Sequence, residues 1–187
     1  MSQLPPSERE FIPAAQGEIE AQYNERLAAV SDGTLVNLDG MLQWADGAAS
    51  GIEVCDLLST DGEFIHVKRK ARSSTLSHLF AQGSVSATAY FSDPRFREQV
   101  QEAVAKAAGP SAASEWAAAL PSAGSEPMRS NFSVTYVVIA NSSRAGTDWL
   151  PFFSKLNLMQ HGRRVRNELG LKVSIVRVPV GGPAAAA

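Results

Sequence analysis

The sequence predicts a mixed-sheet α/β fold with helices packed against the sheet. Three observations predict it. First, "GIEVCDLL" (51–58) and "EFIHVKRK" (63–70) alternate in hydrophobicity on either side of Thr60-Asp61-Gly62, which is the pattern of a β-hairpin with a glycine for the left-handed turn position. Second, "FSVTYVVIA" (132–140) is a continuous β-branched run of the buried kind, and "LKVSIVRVPV" (171–180) follows it after a helical segment. Third, apolar residues at helical spacing precede the hairpin, and a second helical pattern follows it. Together they read α-β-β-β-α-α-β-α-β, an early hairpin and a late strand–helix–strand unit around one sheet.

Each element has its own warrant. Residues 1–16 hold three prolines and read as an N-terminal arm. Ile19, Tyr23, Leu27 and Val30 form a helical stripe that Gly33 ends. "TLVNLDGMLQW" (34–44) reads as a strand turning at Asp39-Gly40. Ser73 or Ser74 can cap a helix through "TLSHLFAQGSVSATAYF". A further helix begins at Ser92-Asp93-Pro94, with proline in its first turn, and runs to about residue 108. The Ala-, Ser-, Gly- and Pro-rich stretch 109–130 reads as a surface connection with one short helix at 115–120. Residues 17–178 are then a single domain, and 179–187 a flexible tail.

Composition narrows the function. The chain has 187 residues, 44% hydrophobic and 19% charged, so it can bury a core. A net charge of −2 gives no global pull towards nucleic acid, so any such attraction needs a local patch. Cys55 is the only cysteine, which excludes an intrachain disulfide and suits a reducing compartment. With no apolar run of spanning length and no apolar signal core, a cytoplasmic protein without membrane contact is expected. The P-loop, paired CxxC, HExxH and GxSxG patterns are missing, which argues against P-loop hydrolysis, structural zinc and serine hydrolase chemistry.

The hairpin carries the chemistry. With a three-residue loop at 60–62, Asp56 faces His66, and Lys68 lies two residues beyond on the same face. A carboxylate and an imidazole can ligate a divalent cation, and a lysine beside them can stabilise charge on a phosphate. Glu53 is a further carboxylate in reach, and Glu18 and Glu20 lie on the first helix. Lys68, Arg69, Lys70 and Arg72 form a basic run, Ser73 and Ser74 open the next helix, and His78 follows on its polar side. All could meet a phosphate backbone. The plain alternative is a solvated strand face, on which substitutions would cost within about 1 kcal/mol. Cys55 alternates away from Asp56 into the interior.

Asp56, nine intervening residues, then His66-Val67-Lys68 resembles the PD-(D/E)xK nuclease pattern in its Mrr-like form. The resemblance implies a restriction-endonuclease-like sheet flanked by helices. It also implies Mg²⁺ or Mn²⁺ as cofactor and nucleic acid as partner, DNA ahead of RNA. It would assign catalysis to Asp56, His66 and Lys68, and metal ligation to Asp56, His66, Glu53 and Glu20. His66 departs from the pattern, which has Glu, Asp or Gln there, and His66→Glu is expected to retain or improve activity with Mg²⁺. Residues 53–87 and 150–178 also resemble the C-terminal part of the DUF6119 proteins, longer bacterial proteins with a patchy distribution. That resemblance implies a defence or mobile-element setting, with a homodimer or a larger defence assembly left open. The other function class is a non-catalytic nucleic-acid or partner-binding module on the same fold.

Overall fold

The computed structural model describes residues 12–71 and 73–181. The chain runs α1 (Glu20–Ala29), β1 (Leu35–Asn37), β2 (Leu42–Gln43), β3 (Ile52–Glu53), β4 (Leu57–Ser59), β5 (Glu63–Arg69), α2 (Ser73–Ser92), α3 (Pro94–Ala108), α4 (Ala113–Ala119), β6 (Ser133–Ile139), α5 (Phe152–Arg163) and β7 (Lys172–Val178). Five strands form one mixed sheet in the order β1-β4-β5-β6-β7, while β2 and β3 form a separate ribbon. β1, β4 and β5 are antiparallel neighbours, and β5, β6 and β7 are parallel. The mixed α/β fold read from the sequence is therefore the fold of the protein.

The sheet is covered on both sides. On one side Phe64, Tyr136, Val138 and Ile175 join the apolar faces of α2, α3 and α5. On the other, Ile65, Val67, Val137 and Val176 meet Tyr23 and Leu27 of α1. This two-sided burial explains why β6 is apolar at both alternations. Gly83 lets α2 approach the sheet closely: a Cβ there would lie 2.6 Å from Cε1 of Tyr136, whose hydroxyl donates to the Phe80 carbonyl at 3.1 Å.

The turn between β4 and β5 sets the register on which the site depends. Gly62 has φ +73°, and its N–H donates to the Ser59 carbonyl at 3.0 Å. A Cβ at Gly62 would sit 2.9 Å from Cδ1 of Phe132 and closer still to the Asn131 carbonyl. Gly62→Ala combines left-handed backbone strain with overpacking and is expected to lower stability by roughly 2–5 kcal/mol, readable as a shifted urea midpoint with an unchanged slope.

Three sequence expectations need adjustment. Residues 51–58 are not one strand: β3 joins β2, and the chain bends before β4. The Asp56 side chain accepts the Val67 N–H at 2.7 Å, taking the place of a continuing strand partner, while Val54 and Cys55 turn into the core. In α1 only Tyr23 and Leu27 of the expected stripe are buried. Ile19 and Val30, at its two ends, are each 64% exposed. Ser73 and Ser74 lie inside the first turn of α2 rather than capping it. The stretch 109–130 carries the expected short helix, α4, whose buried Trp116 donates to the Gly33 carbonyl at 3.1 Å.

The expected arm and tail extend into residues 1–11 and 182–187, which lie outside the described residues. Ala15 and Val180, which are described, form a parallel bridge, and Ala15 is buried. Among the described residues, no helix is long and apolar enough to cross a membrane.

Candidate metal centre

Three segments bring three carboxylates together. Asp39 stands in the turn after β1, Glu53 on β3 and Asp56 in the bend before β4. One oxygen from each lies within 4.8 Å of the others, and all three residues are half-buried. Their orientations are fixed from outside the group. Asn24 of α1, fully buried, donates Nδ2 to Asp39 at 3.1 Å and to Asp56 at 3.5 Å. Glu53 accepts the Gly40 N–H at 2.8 Å and Nε2 of Gln82 at 2.9 Å. The main chain adds a further tie, the Leu38 N–H donating to the Asp56 carbonyl at 2.8 Å.

Gathering like charges here has a cost. Burial pushes the Asp56 carboxyl up to about 7; the Val67 N–H opposes this, and the negative charges of Glu53 and Asp39 add to it. The buried Oδ1 of Asn24 has no hydrogen-bond partner. A divalent cation would relieve the repulsion among the carboxylates, because hard cations take carboxylate oxygens. The three carboxylates could hold such an ion.

Lys68 extends from β5 towards this group. Its ammonium pairs with Oε2 of Glu20 at 2.6 Å, and the other oxygen of Glu20 accepts the Arg69 N–H at 2.9 Å. Burial works to lower the Lys68 pKa, but the bond to Glu20 and the charges of Glu20, Asp56 and Glu53 outweigh it and hold the lysine above its ordinary value. Glu20 itself does not join the carboxylate group and instead positions the lysine. Glu18, expected on the first helix, lies just before it and pairs with Arg26 at 2.5 Å.

The structure separates His66 from the other two hairpin residues. It pairs across β5 and β6 with Tyr136, the ring centroids 6.0 Å apart, and is 1% exposed. Its Nε2 has no hydrogen-bond partner, burial pushes its pKa down to about 3, and it does not join the carboxylate group. The expected solvated face fails at this position because α2 and Tyr136 cover it. His66→Glu would bury a carboxylate without a counter-charge there. It is expected to destabilise by roughly 3–5 kcal/mol, measured by denaturant unfolding, rather than to improve Mg²⁺-dependent activity.

The residues expected to meet phosphate are dispersed. Lys70 donates to the Trp149 carbonyl at 2.7 Å and lies 5.9 Å from the centroid of that ring, so it is tied to the loop before α5. Arg72 lies outside the described residues. Ser73 is half-buried, and Ser74 and His78 are exposed. His78 precedes Gln82 by four residues and shares its helix face, which places it one turn from the centre. Sequence reasoning missed Asp39, Asn24 and Gln82. Asp39 was visible only as half of an Asp-Gly turn, and the two amides carry no metal-ligand spacing.

Residues 1–179 match the model of a family described as a family of unknown function, DUF6119. No curated protein and no solved structure matches the chain. The match spans nearly the whole chain, far beyond the two stretches that carried the resemblance, and the chain belongs to the DUF6119 family.

Proposed function

We propose that the protein is a metal-dependent nuclease that hydrolyses phosphodiester bonds of DNA or RNA, in a defence or mobile-element setting. The observation that carries this reading is the meeting of Asp39, Glu53 and Asp56 within 4.8 Å of one another, with Lys68 on the adjoining strand. The all-oxygen donor set suits Mg²⁺ or Mn²⁺ rather than a softer ion. Such an ion would supply Lewis acidity and a water of lowered pKa. Asp56 is held in one orientation by Val67 and Asn24, and Glu53 by Gly40 and Gln82. Lys68, steadied by Glu20, offers a fixed positive charge where negative charge develops on a phosphate. A restriction-endonuclease-like fold is part of this reading. Its support is the hairpin that places Asp56 beside β5, with an acidic helix before it and α2 after it.

A second reading is a non-catalytic nucleic-acid or partner-binding module, alone or within a defence assembly. One observation favours it: the Lys68 ammonium is already paired with Glu20. Incubating supercoiled plasmid, single-stranded DNA and RNA with the protein in Mg²⁺, Mn²⁺ or EDTA separates the two. Cleavage that requires the cation supports the nuclease. Intact substrates in every condition, with folded protein, support the binding module.

A further inference from the structure

The β2–β3 ribbon carries more than Glu53. Leu42 pairs with Glu53 across it. Cross-strand partners project to the same side, so Leu42 stands beside a member of the carboxylate group. Trp44, two residues on, shares that side. Leu42 is 48% and Trp44 55% exposed, whereas Trp116 and Trp149 are buried. Both exposed side chains lie against Gly51: a Cβ there would meet Cβ of Leu42 at 2.8 Å and Cζ2 of Trp44 at 3.3 Å. The glycine therefore lets the indole rest on the ribbon backbone.

The backbone that carries the exposed indole is also tied down. Gln99 of α3 grips both main-chain groups of Trp44, accepting its N–H at 2.9 Å and donating to its carbonyl at 2.8 Å. Two residues further, the Asp46 N–H donates to Asp93 at 2.7 Å, pinning the end of the ribbon to the start of α3. A large apolar ring is thus presented to solvent from a fixed backbone, on the same ribbon face as Glu53.

We propose that Trp44, flanked by Leu42, is a stacking platform for an unpaired nucleobase of the strand engaged at the Asp39–Glu53–Asp56 centre. This deepens the nuclease reading and rests on it. A flat ring fixed from behind gains most from another flat π-face, and every base has one. In a duplex both faces of an internal base are already covered by its neighbours. The substrate class is therefore single-stranded or locally unpaired nucleic acid. Stacking on a base, unlike a phosphate contact, releases few counterions, so its contribution is largely independent of salt.

Lys68→Ala protein in Mg²⁺, which keeps the carboxylates and lacks the catalytic lysine, is titrated with a mixed-sequence single-stranded oligonucleotide and with its duplex. The readouts are tryptophan emission and affinity. Trp44 is the exposed tryptophan of three, so it dominates accessible quenching. The single strand is expected to quench emission. Adding Trp44→Ala should weaken single-strand binding about tenfold or more at every salt concentration, leave duplex binding within about twofold, and spare the thermal midpoint. Trp44→Phe should restore part of the loss. An unquenched indole, an unchanged single-strand affinity, or an equal loss for duplex overturns the platform. So does Trp44-dependent self-association without oligonucleotide quenching, which would assign the face to a second copy of the chain. Cleavage by wild-type protein is scored separately: its failure counts against the nuclease reading, while the binding titration still decides the platform.

Discussion

Asp56→Asn is expected to lower cation-dependent cleavage by about a thousandfold or more, because the cation's contribution to a charged transition state is worth several kcal/mol. Asn preserves the shape and can still accept the Val67 N–H that Asp56 accepts at 2.7 Å. What it removes is the ionisable carboxylate of Asp56, one of the three in the group. The folded protein without cation should not suffer, since the substitution also removes repulsion from Glu53 and Asp39. Single-turnover cleavage in Mg²⁺, beside a denaturant titration in EDTA, separates the two effects. A variant that is inactive merely because it is unfolded would lose its cooperative transition.

Lys68→Ala should lower the cleavage rate by about 10²–10³-fold, the usual effect of removing one preorganised charge from a transition state. Cation affinity should hold or rise slightly, because a positive neighbour of the carboxylates is gone. The structural cost is small: the pair with Glu20 is about a third exposed on each side, and such pairs are worth about 1 kcal/mol or less. The loss should therefore fall on the chemical step, with substrate binding little changed. Glu20→Gln, which frees the lysine without removing it, should be milder than Lys68→Ala. Equal losses for the two variants would mean that Glu20 does more than position the lysine.

The sheet was legible because its signals were local and redundant. Alternation around Asp61-Gly62 predicted the hairpin, and β-branched runs predicted β6 and β7. The pairing of Asp56 with the end of β5 followed from counting across a three-residue turn. What counting could not supply was burial. His66 lies on the face that α2 and Tyr136 cover, and alternation alone does not say which face of a two-sided sheet is wet. The same gap hid the centre's composition. Glu53 reaches it only because the chain leaves the sheet at Asp56 and forms a ribbon with β2, and Asp39 arrives through the turn between β1 and that ribbon. Asn24 arrives from α1, 32 residues before Asp56, through packing that no short-range pattern records.

A divalent-cation site at Asp39, Glu53 and Asp56 would leave its signature in thermal unfolding across pH with and without Mn²⁺. The folded pKa of Asp56 is raised, to about 7 against an ordinary 3.8. Between those values the folded protein keeps a proton that the unfolded chain has released, so in EDTA this group's contribution to stability falls as pH rises from about 4 to 7 and stays lost above that. A cation competes with that proton, so its stabilising effect should grow over the same window. At pH 8 and about a hundred times its dissociation constant, Mn²⁺ should raise the midpoint by roughly 5–10 °C. At pH 5 the rise should be much smaller, and Asp56→Asn should abolish it at both. A midpoint that Mn²⁺ and Mg²⁺ leave unmoved at pH 8, or an equal rise in Asp56→Asn, would mean that these carboxylates hold no cation.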